Sequence, residues 1–399
     1  MQKKVLLIAL GLYLVSAVAS YGVFAALGKN QGIKLAKQTQ QDVSELVDDG
    51  MLLEIDPAEP KTEVCPLNGE LYTKTEKNAW QQRRPLAVML ENHPEARPQS
   101  GLSQAEIVFE TIAEGGVTRF MGLFLCNVQR NDVVLAPIRS ARTYFVDWAS
   151  GFNWPLYTHV GGANTPGPAD ALGQISDYGW NGENDLNQFS IGYPVFVRDY
   201  NRLGKDKELA TEHTMVTSTQ KLWDYAEEER EWTNFSPDRK ITKTLTPKSN
   251  WYDGYTGWTF AKEAKGATEV TKISYDFWSG YNDYSVRWEY DSATNSYKRF
   301  MAGEAHLDLN NNEQIAARNV IVILTTEKGP IDEKKHMLYQ TTGTGNALIF
   351  NNGQVIKGTW SKEDREAELE FLDGKGKVVE LTPGQIWISV IDKGNEVAY

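Results

Sequence analysis

Glu91, Glu110 and Glu114, with Arg119, Arg139 and Arg142, are the residues whose types and spacing could do chemistry, and residues 85–148 hold them all. Two carboxylates flanking a glycosidic bond can serve as acid and base, with arginines orienting a sugar acid. Residues four apart on a strand lie roughly 13 Å apart. Paired glycosidase carboxylates stand about 5–9.5 Å apart. Glu110 and Glu114 are therefore not such a pair by themselves, and Glu91 is the partner that either would need. Arg139 and Arg142 open a predicted helix, at the end where the macrodipole favours anions. Something negative is expected beside them. It is either the hairpin glutamates, giving an internal Arg–Glu network, or a bound anion or sugar acid.

Other candidates are weaker. A strand predicted over 154–160 carries His159 near its end and runs into Gly161-Gly162-Ala163-Asn164-Thr165-Pro166-Gly167-Pro168. A glycine-rich strand-to-helix loop can hold an anion on its backbone N–H groups, or it can be a tight packing turn. The loop lacks both the Gly-Lys-Ser/Thr ending and the G-x-G-x-x-G order, which argues against a nucleotide site. Asn92 and His213 complete the ligand-binding candidates. The five histidines, His93, His159, His213, His306 and His336, show no H-x-x-x-H or H-E-x-x-H spacing. No metal site and no cofactor is expected on that ground. Neither a serine-nucleophile elbow nor a Cys/His signature occurs.

These residues need elements to place them. Leu86–Leu90 reads as a strand ending at Glu91-Asn92-His93, because Pro94 biases His93 away from helix. Ile107–Ala113 and Val117–Leu125 flank Glu114-Gly115-Gly116, and Gly-Gly is a favoured two-residue hairpin turn. Simple alternation then puts Glu110, Ile112 and Glu114 on one face with Val117, Arg119 and Met121, Arg119 lying opposite Ile112. Val133–Ile138 is a further strand. Ser140 is the expected N-cap of a helix carrying Phe145, Trp148 and Ala149 on one face and stopping at Gly151. Pro168 suits the first position of a helix over Ala169–Ile175. Residues 176–206 read as a long decorated loop, and Thr219–Glu229 as a helix. Beyond Asp238, strands dominate. Asn319–Thr325 reads as an apolar strand, Asn352-Gly353 and Asp373-Gly374 mark hairpins, and Gln385–Ile391 ends the run. The order predicts an antiparallel sandwich or small barrel.

The stretches PLAVMLENHPEARPQSGLSQAEIVFETIAEGGVTRF, PIRSAR, THVGG, EHTMVTS, NNGQVIKGTW and PGQIWI resemble the YerB family of bacterial cell-envelope proteins. The resemblance runs over roughly residues 80–395. It implies an N-terminal layered α/β domain, a β-rich C-terminal domain and an extracytoplasmic location, but no particular reaction. Many members of that family are lipoproteins. Here no cysteine precedes Cys65, so a lipid anchor is not expected, and Ala136 stands where the family pattern suggests Gly.

The composition, 41% hydrophobic and 24% charged, is that of a globular protein. Val5–Leu27 is uncharged and long enough to span a bilayer, and Lys3 and Lys4 favour a cytoplasmic N-terminus. A net charge of −12 should repel nucleic acid and anionic surfaces. Two cysteines, Cys65 and Cys126, invite a disulfide in an oxidising compartment. The expected organisation is α+β. It comprises a signal-anchor over 1–29, a stalk and linker over 30–79, the α/β domain over 80–237 and an antiparallel β-rich domain over 238–399. The expected function is a single-pass, membrane-anchored module that binds a cell-wall glycan, a peptide or an envelope protein without catalysis. A glycan hydrolase or transferase using Glu91 with Glu110 or Glu114, and His159 as a further catalytic candidate, is the alternative.

Overall fold

Apolar runs far apart in sequence meet in one ten-stranded sheet. The computed structural model describes residues 51–236, 250–261 and 268–399. The spanning helix expected over 5–27 lies outside the described residues, and among those no helix is long and apolar enough to cross a membrane. The strands are β1 (Leu86–Glu91), β2 (Ile107–Glu114), β3 (Val117–Phe124), β4 (Leu156–His159) and β5 (Asp185–Asn187), then β6 (Asn319–Thr325), β7 (Gly343–Asn351), β8 (Gln354–Lys362), β9 (Glu370–Asp373) and β10 (Ile386–Asp392). Their order across the sheet is β9-β8-β7-β6-β10-β2-β3-β1-β4-β5.

β10 lies between β6 and β2 and is parallel to both. This differs from the expected antiparallel C-terminal sheet, and the reason is burial. β6 (NVIVILT) and β10 (IWISVID) are apolar at almost every position and buried along nearly their whole length. Such strands belong in a sheet covered on both faces. The hairpin expected at Asn352-Gly353 forms as β7–β8. After Asp373-Gly374 only an isolated bridge, Leu372 to Val378, forms in place of the second hairpin.

A six-stranded sheet, which includes Lys272–Tyr275, Val286–Asp291 and Ser296–Met301, covers one face of the large sheet. Trp288 packs edge-on against Trp387, their centroids 5.4 Å apart, and the Tyr275 hydroxyl meets Ser389 Oγ at 2.7 Å. Helix α1 (Thr143–Ser150) lies on the other face, where Trp148 stacks on Phe109 at 5.6 Å. Its N-cap is Arg142 rather than Ser140. The next helix is Ala171–Asp177, capped by Asp170, so it starts two residues after the expected position. The supposed loop over 176–206 contains short elements: Trp180–Gly182, β5, Gln188–Ile191 and Val197–Arg198.

The end of the expected linker is ordered. Lys61–Val64 pairs with Leu71–Thr73, and Thr73 caps the helix Lys74–Trp80 in a capping box with Glu76. Cys65 and Cys126 form the disulfide, with Cα atoms 6.1 Å apart. Glu106 fixes the chain around Cys126 by accepting the backbone N–H groups of Leu125 and Asn127 at 2.9 and 2.6 Å. Burial pushes the Glu106 carboxyl up to about 7, against those two hydrogen bonds.

Candidate functional site

The β2–β3 hairpin decides which charges can meet. Glu114 pairs with Val117 as the Gly-Gly turn requires, but the register slips between Ile112 and Glu114. Ile112 then faces Thr118, Thr111 faces Arg119, and Glu110 faces Phe120. The expected pairing of Arg119 with Ile112 is therefore off by one. The cause is a bulge at Ala113, which reverses the alternation of every residue beyond it. Tyr144 on α1 donates its hydroxyl to Ile112 O at 2.7 Å, satisfying a carbonyl beside the bulge. Glu110 and Glu114 consequently point to opposite faces, where a regular strand would align them.

Glu110 faces the second sheet and is fully buried. Arg299 Nη2 lies 2.8 Å from Glu110 Oε2, and Trp387 Nε1 donates to the same oxygen at 3.2 Å. Thr118 donates to Glu110 Oε1 at 3.1 Å, and Asn92 donates to Thr118 Oγ1 at 2.7 Å. Asn92 Oδ1 accepts from Arg97 and Gln99. Gln99 meets His306, which accepts from Arg299 Nε. Burial raises the Glu110 pKa, with Arg299 and Trp387 offsetting part of the rise. Asn92, proposed as a ligand contact, is a buried joint of this closed network. Glu110 reaches neither solvent nor the face of Glu91, so it cannot complete an acid–base pair with it.

The α1 side is different. Glu91 lies opposite Arg119 across β1 and β3. Arg119 Nη2 and Arg142 Nη2 bind the two oxygens of Glu114 at 2.7 and 2.6 Å. Arg119 also donates to Ser140 O at 2.8 Å. Arg139 Nε lies 2.6 Å from Glu91 Oε2, close enough for an ion pair yet misdirected for a hydrogen bond. The side chains of Glu114 and Arg139 are 25% and 26% exposed, so this cluster reaches the rim. Burial pushes the Glu114 carboxyl up, but Arg119 and Arg142 outweigh it and hold the group at about 2. For Glu91, burial likewise opposes ionisation, and the His213 hydrogen bond with Arg139 lowers the pKa nonetheless. Both rim carboxylates stay ionised, and neither has the raised pKa of a general acid.

The segment 136–141 delivers the arginines. Glu91 N–H donates to Pro137 O, Arg139 N–H to Met89 O, and Ile138 N–H to Met215 O. Ala141 N–H donates to Gly161 O, and Val160 N–H to Arg139 O. The stretches PIRSAR, THVGG and EHTMVTS are thus laid side by side at the end of β1. His159 is buried with both ring nitrogens engaged, Nε2 by Asp185 at 2.6 Å and Nδ1 by Gly161 O at 2.6 Å. Both contacts hold the ring in place within the packed end of β4. Gly161 donates its N–H to Asn187 Oδ1 at 3.1 Å, so this loop amide is not free for an anion. Gly162 packs against Ala141 in an isolated parallel bridge.

A concavity of about 630 Å³ lies beyond the hairpin tip between residues 165–169 and the segment holding Lys328, Asp332 and Leu338. That segment touches the tip, where Gly115 N–H donates to Lys335 O and Glu114 bridges to His336. The arginines do not line it. Residues that sequence reasoning missed include Arg299, His306 and Gln99, whose partners lie some two hundred positions away, and Tyr144, whose hydroxyl role depends on an unseen bulge.

Comparisons with known proteins follow the same layout. The family description "Protein of unknown function (DUF3048) N-terminal domain" matches residues 69–233, and its C-terminal counterpart matches residues 273–388. A relative described as "Putative lipoprotein YerB" from Bacillus subtilis (strain 168) is 28% identical over 329 residues, covering 82% of this chain and 86% of the relative. The crystal structure of the YerB protein from Bacillus subtilis superposes with a TM-score of 0.65 at 24% identity, covering 85% of this chain and 100% of the other. At that identity the structural likeness speaks for the fold alone.

Proposed function

The chain belongs to the DUF3048 family of YerB-like proteins, and on that premise we propose that it is an extracytoplasmic envelope protein that binds an anionic group of a cell-wall glycan or peptide at the Glu114 rim. The observation that carries this reading is the charge count at a partly open surface. Among the described residues, the three guanidiniums of Arg119, Arg139 and Arg142 form direct ion pairs with two carboxylates, Glu91 and Glu114, one positive charge more than the carboxylates they touch. Arg119 Nε is buried without an acceptor among the described residues. A carboxylate at the rim, beside the part-exposed Arg139, would balance the charge, and arginine's planar fork suits carboxylate recognition. The concavity beyond the hairpin tip leaves room for the rest of a large ligand.

Catalysis is the weaker reading. Glu110 is sealed on the opposite face, and Glu91 and Glu114 are both held ionised, so the rim has a base but no acid. An envelope protein partner carrying a surface carboxylate would use the same chemistry.

The test is a screen of the full-length protein in detergent against purified cell-wall fragments, reading both binding and product formation. Saturable binding of an acidic fragment without turnover is expected. Product formation would restore the hydrolase reading, and no binding by any fragment would leave the cluster as scaffolding. Placement is checked by labelling lysines of intact cells with an impermeant reagent. Reaction is expected in intact cells, and reaction only after lysis would contradict an outside body.

A further inference from the structure

Beside the rim, two segments distant in sequence are clamped together by one arginine. Arg202 donates to Ala96 O, to Pro98 O at 2.9 Å and to His213 O at 3.0 Å, joining residues 93–98 to 211–214. The clamp sets His93, Glu95 and His213 so that one ligand atom of each lies within 4.8 Å of the others.

His213 is buried, and its two nitrogens face different carboxylates. Nδ1 lies 3.4 Å from Glu91 Oε2, and Nε2 lies 3.7 Å from Glu95 Oε2. A proton on Nδ1, donated to the buried Glu91, leaves the Nε2 lone pair aimed at Glu95. That is the carboxylate–histidine arrangement which orients metal-binding imidazoles. His93 stacks on His213 with centroids 4.9 Å apart, and its Nδ1 accepts the Glu95 backbone N–H, so its Nε2 remains for a ligand. Two imidazoles and one carboxylate form the donor set of open zinc sites and of non-haem iron centres.

We propose that His93, Glu95 and His213 bind a divalent first-row transition ion, with Glu91 as the positioning residue behind His213. The 3.7 Å between His213 Nε2 and Glu95 Oε2 is near the ~3.3 Å ligand separation that metal bonds of about 2.0–2.1 Å give in a tetrahedron. Stacked rings aim their nitrogens in nearly parallel planes, so loading turns the His93 ring. His93 is only half-buried and the Glu95 side chain is 69% exposed, which leaves both free to move. The nearby guanidiniums point elsewhere. Arg139 sits on Glu91 and Arg202 on carbonyls, and among the described residues no guanidinium or ammonium lies within ion-pair distance of Glu95. Three donors leave a position open, as in sites that bind a further ligand. No motif search finds this set, because His93 and His213 lie on separate segments that only the fold brings together.

The experiment is a titration of full-length, metal-stripped protein in detergent with Co²⁺, followed by Zn²⁺ competition and a melting curve. One Co²⁺ per chain with visible d–d absorption is expected, displaced by Zn²⁺, with Zn²⁺ raising Tm. His93→Ala and Glu95→Ala alter side chains outside the core, so they should fold normally and lose both signals. Glu91→Gln should keep the stoichiometry and weaken affinity about 10–100-fold. Absence of Co²⁺ binding to the unmodified protein overturns the site, as does unchanged affinity in His93→Ala and Glu95→Ala. Unchanged affinity in Glu91→Gln overturns the positioning role.

Discussion

The two faces of the β2–β3 hairpin carry the same chemical groups in opposite conditions. On the face toward the second sheet, Glu110 and Arg299 are fully buried and paired, both carboxylate oxygens are also met by an indole or a hydroxyl, and Arg299 Nε meets a histidine while its Nη1 lacks an acceptor among the described residues. On the α1 face, Glu114 is shared by two guanidiniums and a third stands beside Glu91 at the rim. The difference teaches how to tell scaffold from site without a bound ligand. A buried pair with every polar atom of the carboxylate committed has no capacity left. A partly open cluster with a charge in surplus has. What separates the faces is one extra residue in β2, and the comparison can be broken at several points.

Breaking the sealed face should have the largest effect. Glu110→Ala leaves Arg299 charged and buried, which should destabilise the protein by about 3–5 kcal/mol in denaturant unfolding. A loss below about 1 kcal/mol would mean that water reaches this face. Any binding at the rim should be unchanged at temperatures where the variant is folded.

Next comes the bulge. Tyr144→Phe removes the donor to Ile112 O, and an unsatisfied buried carbonyl costs about 1–3 kcal/mol. The variant should also weaken binding at the rim, because Glu114 owes its face to the bulge. Hydrogen exchange at residues 111–118 should quicken locally. Unchanged exchange there, with normal stability, would show that the turn alone holds the register.

A smaller effect distinguishes the faces by pH. Glu114 is held at about 2, below its unfolded value. Its contribution is therefore present above pH about 4.3 and lost as pH falls toward about 2. Glu110 is shifted the other way by burial. Its contribution is full below about 4.3 and declines as pH rises through the raised value. Glu114→Gln should remove part of the acid-side loss of stability, whereas Glu110→Gln should leave that loss in place. Identical acid limbs in both variants would erase the distinction.

Much of this layout was legible in the sequence, and the failures share a cause. Local signals worked. Gly115-Gly116 and Asn352-Gly353 marked real hairpins, the apolar run 319–325 was a strand with those bounds, and Cys65 was paired with Cys126. The bulge at Ala113 left no trace, because any small residue can occupy one, and it moved Glu110 away from its expected neighbours. Pairing between remote strands was also hidden. Alternation names the buried face of a strand but not its partner, so β10 was expected in an antiparallel sheet when it joins β6 to β2. The predominantly apolar character of 319–325 and 386–391 was the available clue. Arg299, His306 and Gln99 on the sealed face, and His93 with His213 beside the rim, meet only through that tertiary arrangement.

The account rests on the rim being a ligand site, and Arg142→Ala tests this in one sample. Glu114 keeps Arg119 after the change and is partly exposed, so stability should fall by only about 1 kcal/mol. Binding of an acidic cell-wall fragment to the full-length protein should be lost at the same time. A stability loss of about 3–5 kcal/mol with binding intact would contradict the account and make the α1 face a second sealed network.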